Sequence, residues 1–156
     1  MRAVRTVDGA FRVVEVPEPD GDGVLVEVAS AGICGSDLHM AGFGLPATFG
    51  HEVAGRLVDG TPVAVQPTVA CGTCDRCSVG AAQQCRSMVL YGIGRDGGMA
   101  DRLVVDPSCL VALDDRIPVG DACLVEPIAV SIHAVHVGGV EAGNRVLVVG
   151  GGTIGL

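Results

Sequence analysis

Two sets of cysteine, histidine and carboxylate residues in this sequence have spacings that suit a bound transition metal. The first runs from Cys34 to Glu52: Cys34-Gly35-Ser36-Asp37-Leu38-His39, a loop punctuated by glycine and proline, then Gly50-His51-Glu52. Thiolate and imidazole suit zinc, and a catalytic zinc takes three protein ligands while a fourth position stays open. Cys34 and His51 offer two ligands, and Glu126 is the candidate third. The second set is Cys71, Cys74, Cys77 and Cys85, spaced C-x2-C-x2-C-x7-C. Four thiolates this close in sequence can surround one tetrahedral zinc, with Gly72 and Gly80 allowing sharp backbone turns. The alternatives are a pair of disulfides and a nucleic-acid zinc ribbon. A ribbon usually separates two CxxC knuckles by a longer run on a basic surface, whereas this lobe holds only Arg76 and Arg86. A closed structural zinc site is the reading adopted. Cys109 and Cys123, flanked by apolar residues, are assigned to the core as small hydrophobes.

These groups must be positioned by short elements. Phe11–Val16 and Val24–Ala29 place β-branched residues at period two and read as strands, separated by Pro17, Pro19 and a Gly21-Asp22-Gly23 turn. Val53–Val58 and Pro62–Gln66 read as two more, joined by a hairpin turn at Asp59-Gly60. Met99–Val105 and Cys109–Leu113 continue the pattern. Many short strands with glycine-rich turns, 24 glycines in all, point to a mainly β fold with a few helices, a sandwich or partly open barrel. Near residue 118 the character changes. Ile128–Val137 has no glycine and reads as a helix with apolar residues all round, which assigns His133 and His136 to the core. Pro127 suits its first turn and Glu126 its N-terminus. Val146–Val149 reads as a strand buried on both faces. It leads into Gly150, Gly152 and Gly155.

The chain of 156 residues suffices for one domain with a real core. An apolar content of 49% and a mean hydropathy of +0.51 exclude disorder. Ten arginines and no lysine against 18 acidic residues give a net charge of −8, which argues against a nucleic-acid partner. The N-terminus has no apolar run of signal-peptide length, and no stretch is long and apolar enough for a membrane helix. The economical reading is a cytoplasmic protein with reduced thiols, in which clustered cysteines bind metal.

Taken together, these motifs resemble the zinc-dependent medium-chain alcohol dehydrogenase family from end to end. Cys34 to His39 resembles its first catalytic-zinc motif and Gly50-His51-Glu52 its second. The four-cysteine lobe resembles its structural zinc, and Asp96-Gly97-Gly98-Met99-Ala100 a loop before a strand. Glu126 to Val130 with His133-Ala134-Val135 resembles the segment carrying the third ligand, and Gly150 to Gly155 the first turn of the cofactor domain. The resemblance implies a GroES-like partly open β-barrel catalytic domain over 1–140, with its zinc lobe at about 67–90. Residues 141–156 would be the first strand and glycine-rich turn of a Rossmann domain. It implies two zinc ions per chain, NAD or NADP as cofactor, a small-molecule alcohol as substrate, and a dimer or tetramer.

By the same resemblance, zinc on Cys34, His51 and Glu126 receives the substrate hydroxyl and a hydride passes to nicotinamide. Ser36 accepts the hydroxyl proton and His39 carries it toward solvent. Glu52 is either a partner behind the ligands or a ligand that alternates with Glu126, and Asp37 anchors the loop or orients a ligand. A glutamate at position 126, where members acting on primary alcohols often carry cysteine, resembles sorbitol, polyol or threonine dehydrogenases. Two loops, His39 to Gly50 and Val58 to Val63, are shorter than usual in the family. The acidic residue expected about 20 positions beyond the glycines is missing, so the expectation is an N-terminal portion, inactive alone, whose unpaired Val146–Val149 strand tends to associate. The alternative is a stand-alone zinc-binding barrel with a structural or interaction role.

Overall fold

The computed structural model describes residues 1–156. Arg2–Val7 (β1) and Ala10–Glu15 (β2) form an antiparallel hairpin. Its turn is Asp8-Gly9, with φ of 52° and 75°, the left-handed pair that matches the twist of a two-residue hairpin. Only β2 was expected. β1 carries arginine at positions 2 and 5 and lacks a strong period-two apolar pattern, but Asp8-Gly9 was a legible signal for it.

Val24–Ala31 (β3) is followed by the short helix Gly35–Met40 (α1), then by Val53–Leu57 (β4) and Pro62–Val65 (β5). Thr68–Val69 (β6) leads into the cysteine lobe, which contains the helical turn Asp75–Ser78 (α2) and returns through Val89–Leu90 (β7). Arg102–Val105 (β8), Leu110–Ala112 (β9) and the helix Val125–Val137 (α3) complete the chain. Five strands build one antiparallel, curled half-barrel sheet in the order β8-β3-β4-β5-β9. β6 and β7 pair only with each other and form the stem of the lobe.

The core follows from alternation. Val26, Val53, Val63, Val65, Leu103 and Val105 point to one face and enclose Tyr91 and Cys109, all at most 3% exposed. Tyr91 is the only tyrosine, and its hydroxyl accepts the Asp106 amide at 2.8 Å, so burying the ring strands no polar group. Near Val28 and Ser30 the β3–β4 register slips by a bulge, which bends β3 where it delivers the chain to Cys34.

Residues 96–101 form an irregular seam between the hairpin and the sheet. On one side Val4 donates to Met99 and Asp101 donates to Arg2. On the other, Gly97 donates to Thr48 at 2.8 Å, Met99 to Phe49 at 2.8 Å and Gly98 to Gly50 at 2.9 Å. Phe49 is fully buried, with Phe11 edge-on at 5.0 Å. Residues 47–55 are buried without interruption.

The C-terminal expectations are corrected. Val146–Val149 is not a strand: no neighbouring strand offers it a ladder, and its side chains are 58–91% exposed. α3 forms as expected, but it docks only by its N-terminal end, where Pro127 is its one buried residue. His133 and His136 are therefore exposed rather than in the core. An apolar sequence marks a surface to be covered, and nothing in this fold covers it. Cys109 is buried, while Cys123 is only half-buried and donates its amide to Ser30 Oγ at 3.2 Å.

The seam yields a stability contrast. A Cβ on Gly97 would overlap the Gly50 carbonyl oxygen, whereas one on Gly120 meets nothing within 4 Å. Gly97→Ala is expected to cost about 3 kcal/mol, at the upper end of overpacking penalties. Gly120→Ala should stay within about 0.5 kcal/mol, as surface changes do. Urea denaturation of the two variants measures both.

Candidate metal centres

Three parts of the fold converge on the first centre. The turn from β3 into α1 carries Cys34 at the helix N-cap, the buried segment after Phe49 carries His51 and Glu52, and α3 carries Glu126. One ligand atom each from Cys34, His51 and Glu52 lies within 4.8 Å of the others. Gly32 makes room for the carboxylate, because a Cβ there would overlap Glu52 Oε2. Glu126, the expected third ligand, is outside this set. It lies near enough that His51 and Glu52 both act on its ionisation, while burial, the largest cause, pushes its pKa up.

Asp37 is 2% exposed and organises the other groups. Its Oδ2 accepts the Cys34 amide at 2.9 Å, which closes the first turn of α1, and its Oδ1 lies 3.4 Å from His51 Nδ1. That contact is too long and too poorly aligned for a full hydrogen bond, and Nδ1 has no other partner although it is buried. With Nδ1 directed at Asp37, Nε2 is left to face a metal. The Asp37 carboxylate raises the imidazole pKa to about 9, with the Cys34 sulfur adding to the effect against the cost of burial.

The expected proton path is less continuous. Ser36 Oγ lies 3.5 Å from His51 Nε2. His39 is exposed, with its ring centroid 6.0 Å from that of Phe43, and no hydrogen bond joins it to Ser36. A cleft of about 520 Å³ opens beside Cys34 and Glu52. Gly150, Gly152 and Gly155 line its opposite wall, so the glycine turn faces the centre even though the preceding strand does not form. Ser131 Oγ on α3 sits 3.4 Å from the Ile154 carbonyl oxygen in that turn.

The second centre is the lobe on the β6–β7 stem. Ligand atoms of Cys71, Cys74, Cys77 and Cys85 lie within 4.8 Å of one another. All seven cysteines are free, and the closest measured pair, Cys74 and Cys77, has sulfurs 3.5 Å apart, far beyond a disulfide bond. Backbone amides point at the sulfurs: Cys71 and Ser87 both donate to Cys85 Sγ, at 3.2 and 3.4 Å. Amides of Thr73 and Cys74 lower the Cys71 pKa to about 6, and those of Arg86 and Cys77 lower that of Cys74. Burial and the neighbouring sulfurs push Cys77 up to about 12. Crowded sulfurs without a cation cannot all ionise, and a divalent ion removes that conflict. Arg86 clasps Asp75 with two bonds of 2.6 and 2.8 Å, tying the last cysteine to the middle of the lobe.

Both donor sets, S/N/O beside a cleft and S4 in a closed lobe, fit zinc. The family described as alcohol dehydrogenase GroES-like domain matches residues 20–115. L-galactonate-5-dehydrogenase of Escherichia coli K12 is 37% identical over 157 residues, covering 91% of this chain and 46% of that protein. The crystal structure of galactitol-1-phosphate dehydrogenase from E. coli has a TM-score of 0.90 at 36% identity, covering 99% of this chain and 50% of that one. A Sinorhizobium meliloti 1021 structure bound to NADP gives 0.87 at 33% identity, with 99% and 50% covered. The chain spans about half the length of the curated relatives it matches.

The Asp37–His51 contact predicts a pH dependence. The folded pKa of about 9 lies above the ordinary imidazole value of 6.5. Protonation therefore stabilises the metal-free fold fully below about pH 6.5, and that contribution disappears as pH rises through about 9. Urea midpoints of the metal-free chain should fall across this window. Asp37→Asn should flatten the fall and return the His51 titration, followed by NMR, toward 6.5.

Proposed function

The chain belongs to the alcohol dehydrogenase GroES-like domain family, and from that premise we propose that it carries the metal and substrate groups of a zinc-dependent polyol dehydrogenase. The observation that carries the reading is the convergence of Cys34, His51 and Glu52 at a point where Cys34 and Glu52 line a cleft. A site with only a structural role has no need of an open side. Zinc held there supplies a Lewis acid for an alcohol oxygen. Cys34 and His51 are ligands throughout, and Glu52 completes the set with Glu126 near enough to exchange with it. One thiolate, one carboxylate and a neutral imidazole balance the dication. Cys71, Cys74, Cys77 and Cys85 hold a second, structural zinc.

The remaining roles fall to groups around the centre. Asp37 holds the His51 ring and the start of α1 in register. Ser36 Oγ, beside His51 Nε2, is placed to accept a hydrogen bond from the substrate hydroxyl, and the exposed His39 to exchange protons with solvent. Gly150, Gly152 and Gly155 lack the side chains that would keep a nicotinamide cofactor, NAD or NADP, from the cleft wall. Relatives named for galactonate and galactitol phosphate favour a polyhydroxylated secondary alcohol as substrate.

Metal analysis tests this reading. The purified chain should carry two equivalents of zinc, and Cys34→Ser should lose one while the lobe keeps its own. Unchanged zinc in Cys34→Ser would overturn the assignment. The enzyme expressed from its own gene should reduce NAD or NADP with a polyol, followed by absorbance, and Cys34→Ser should abolish that turnover.

A further inference from the structure

We propose that Asp96 is a positioning residue for the first metal centre, acting through the backbone of Thr48 rather than through its charge. The inference rests on the reading that Cys34, His51 and Glu52 hold zinc.

Asp96 Oδ1 accepts the Thr48 amide at 2.6 Å. Thr48 is 1% exposed, and Asp96 is the acceptor its amide has. The same oxygen receives Arg5 from β1 at 3.2 Å, and Arg5 Nε reaches Thr48 Oγ1 at 3.3 Å. Asp96 thus ties together the hairpin, the start of the seam and the segment leading to His51. Thr48 stands three residues before His51, and each residue between is buried. The Thr48 and Gly50 carbonyls are held by Gly97 and Gly98, and the Phe49 amide by Val4. A Cβ on Gly92 would press against Gly50. The segment has no slack in which a displacement at Thr48 could be absorbed before His51.

Magnitudes decide which part of Asp96 matters. Its ion pair with Arg5 is exposed, at 57% and 33% of the two side chains, and such pairs contribute little. A buried amide left without its acceptor is costly. The acceptor oxygen, not the charge, is therefore the working part.

The experiment measures zinc affinity at both centres of the 156-residue chain by competition with a chromophoric chelator. Cobalt(II) spectra distinguish the S/N/O site from the S4 site. Asp96→Ala should weaken the first centre about tenfold, as expected when a buried amide is orphaned, and shift its cobalt d–d bands. The lobe should be unchanged. Asp96→Asn, which keeps the acceptor and drops the charge, should restore affinity and spectrum. Wild-type affinity in Asp96→Ala, equal weakening of both centres, or failure of Asp96→Asn to restore would each overturn the proposal. If Asp96→Ala does not fold, Asp96→Ser, whose hydroxyl is too short to reach Thr48, is read by the same criteria. Wild-type protein with zinc only in the lobe would instead overturn the metal reading itself, an outcome distinguishable from the others.

Discussion

The close approach of backbone to backbone around Gly50 is the constraint on which the rest of the structure depends. Gly50 has a φ of 99° and sits against Gly92, Gly97 and Met99 so tightly that a Cβ on it would strike Met99. Only at that separation can Gly97, Gly98 and Met99 donate to the carbonyls of residues 48–50. Three consequences follow from this one contact. The hairpin is joined to the sheet through Met99 and Val4, Phe49 is driven under Phe11, and His51 and Glu52 emerge at a fixed place opposite Cys34. The glycines are required by the chemistry two residues on, because their missing side chains let a rigid backbone, rather than a mobile loop, present the ligands.

The electrostatics of the first centre follow from that rigidity. Asp37 and Glu52 are both at most 5% exposed, with the Cys34 sulfur among them. A chain of net charge −8 would not be expected to bury carboxylates beside a thiol without compensation. His51 lies among these groups, where the Asp37 carboxylate and the Cys34 sulfur push its pKa up. One proton is a poor match for two carboxylates and a thiol. A divalent cation satisfies the same demand more fully and releases the imidazole to serve as a neutral ligand.

Features set by local chemistry were legible in the sequence. The C-x2-C-x2-C-x7-C run specifies its own lobe because the cysteines need only short turns to meet. The Asp59-Gly60 hairpin is likewise written in two residues, with Gly60 at a φ of 88° and the Asp59 carboxylate accepting the Thr61 amide. The curled sheet followed from alternating valines. What escaped depends on distant partners. β1 was missed because its own pattern is weak: it is held by its pairing with β2 and by Val4 donating to Met99, and only the Asp8-Gly9 turn announced it. Glu52 was legible as a ligand alternating with Glu126, but that Glu52 is the one lying with Cys34 and His51 rests on the space Gly32 leaves for it, which no spacing in the sequence shows. Val146–Val149, His133 and His136 were misread for the converse reason: apolar character says that a surface should be covered, and cannot say whether the cover lies within the same fold.

The two centres therefore differ in what assembles them. The lobe closes a loop of 15 residues, Cys71 to Cys85, on a two-stranded stem, at a modest entropic cost that a tightly bound metal can readily offset. Its geometry would be set by a bound ion together with nearby amides, so it should tolerate variation elsewhere. The first centre brings Cys34 to His51 and Glu52 through a bulged strand and a glycine seam formed by residues more than 40 positions away in sequence. Here the sheet sets the geometry, and a metal bound there would have to accept it. Ligands imposed on a metal in this way can leave a coordination position open, because the protein rather than the ion decides how many donors arrive. The cleft beside Cys34 and Glu52 lies at the centre that the barrel builds.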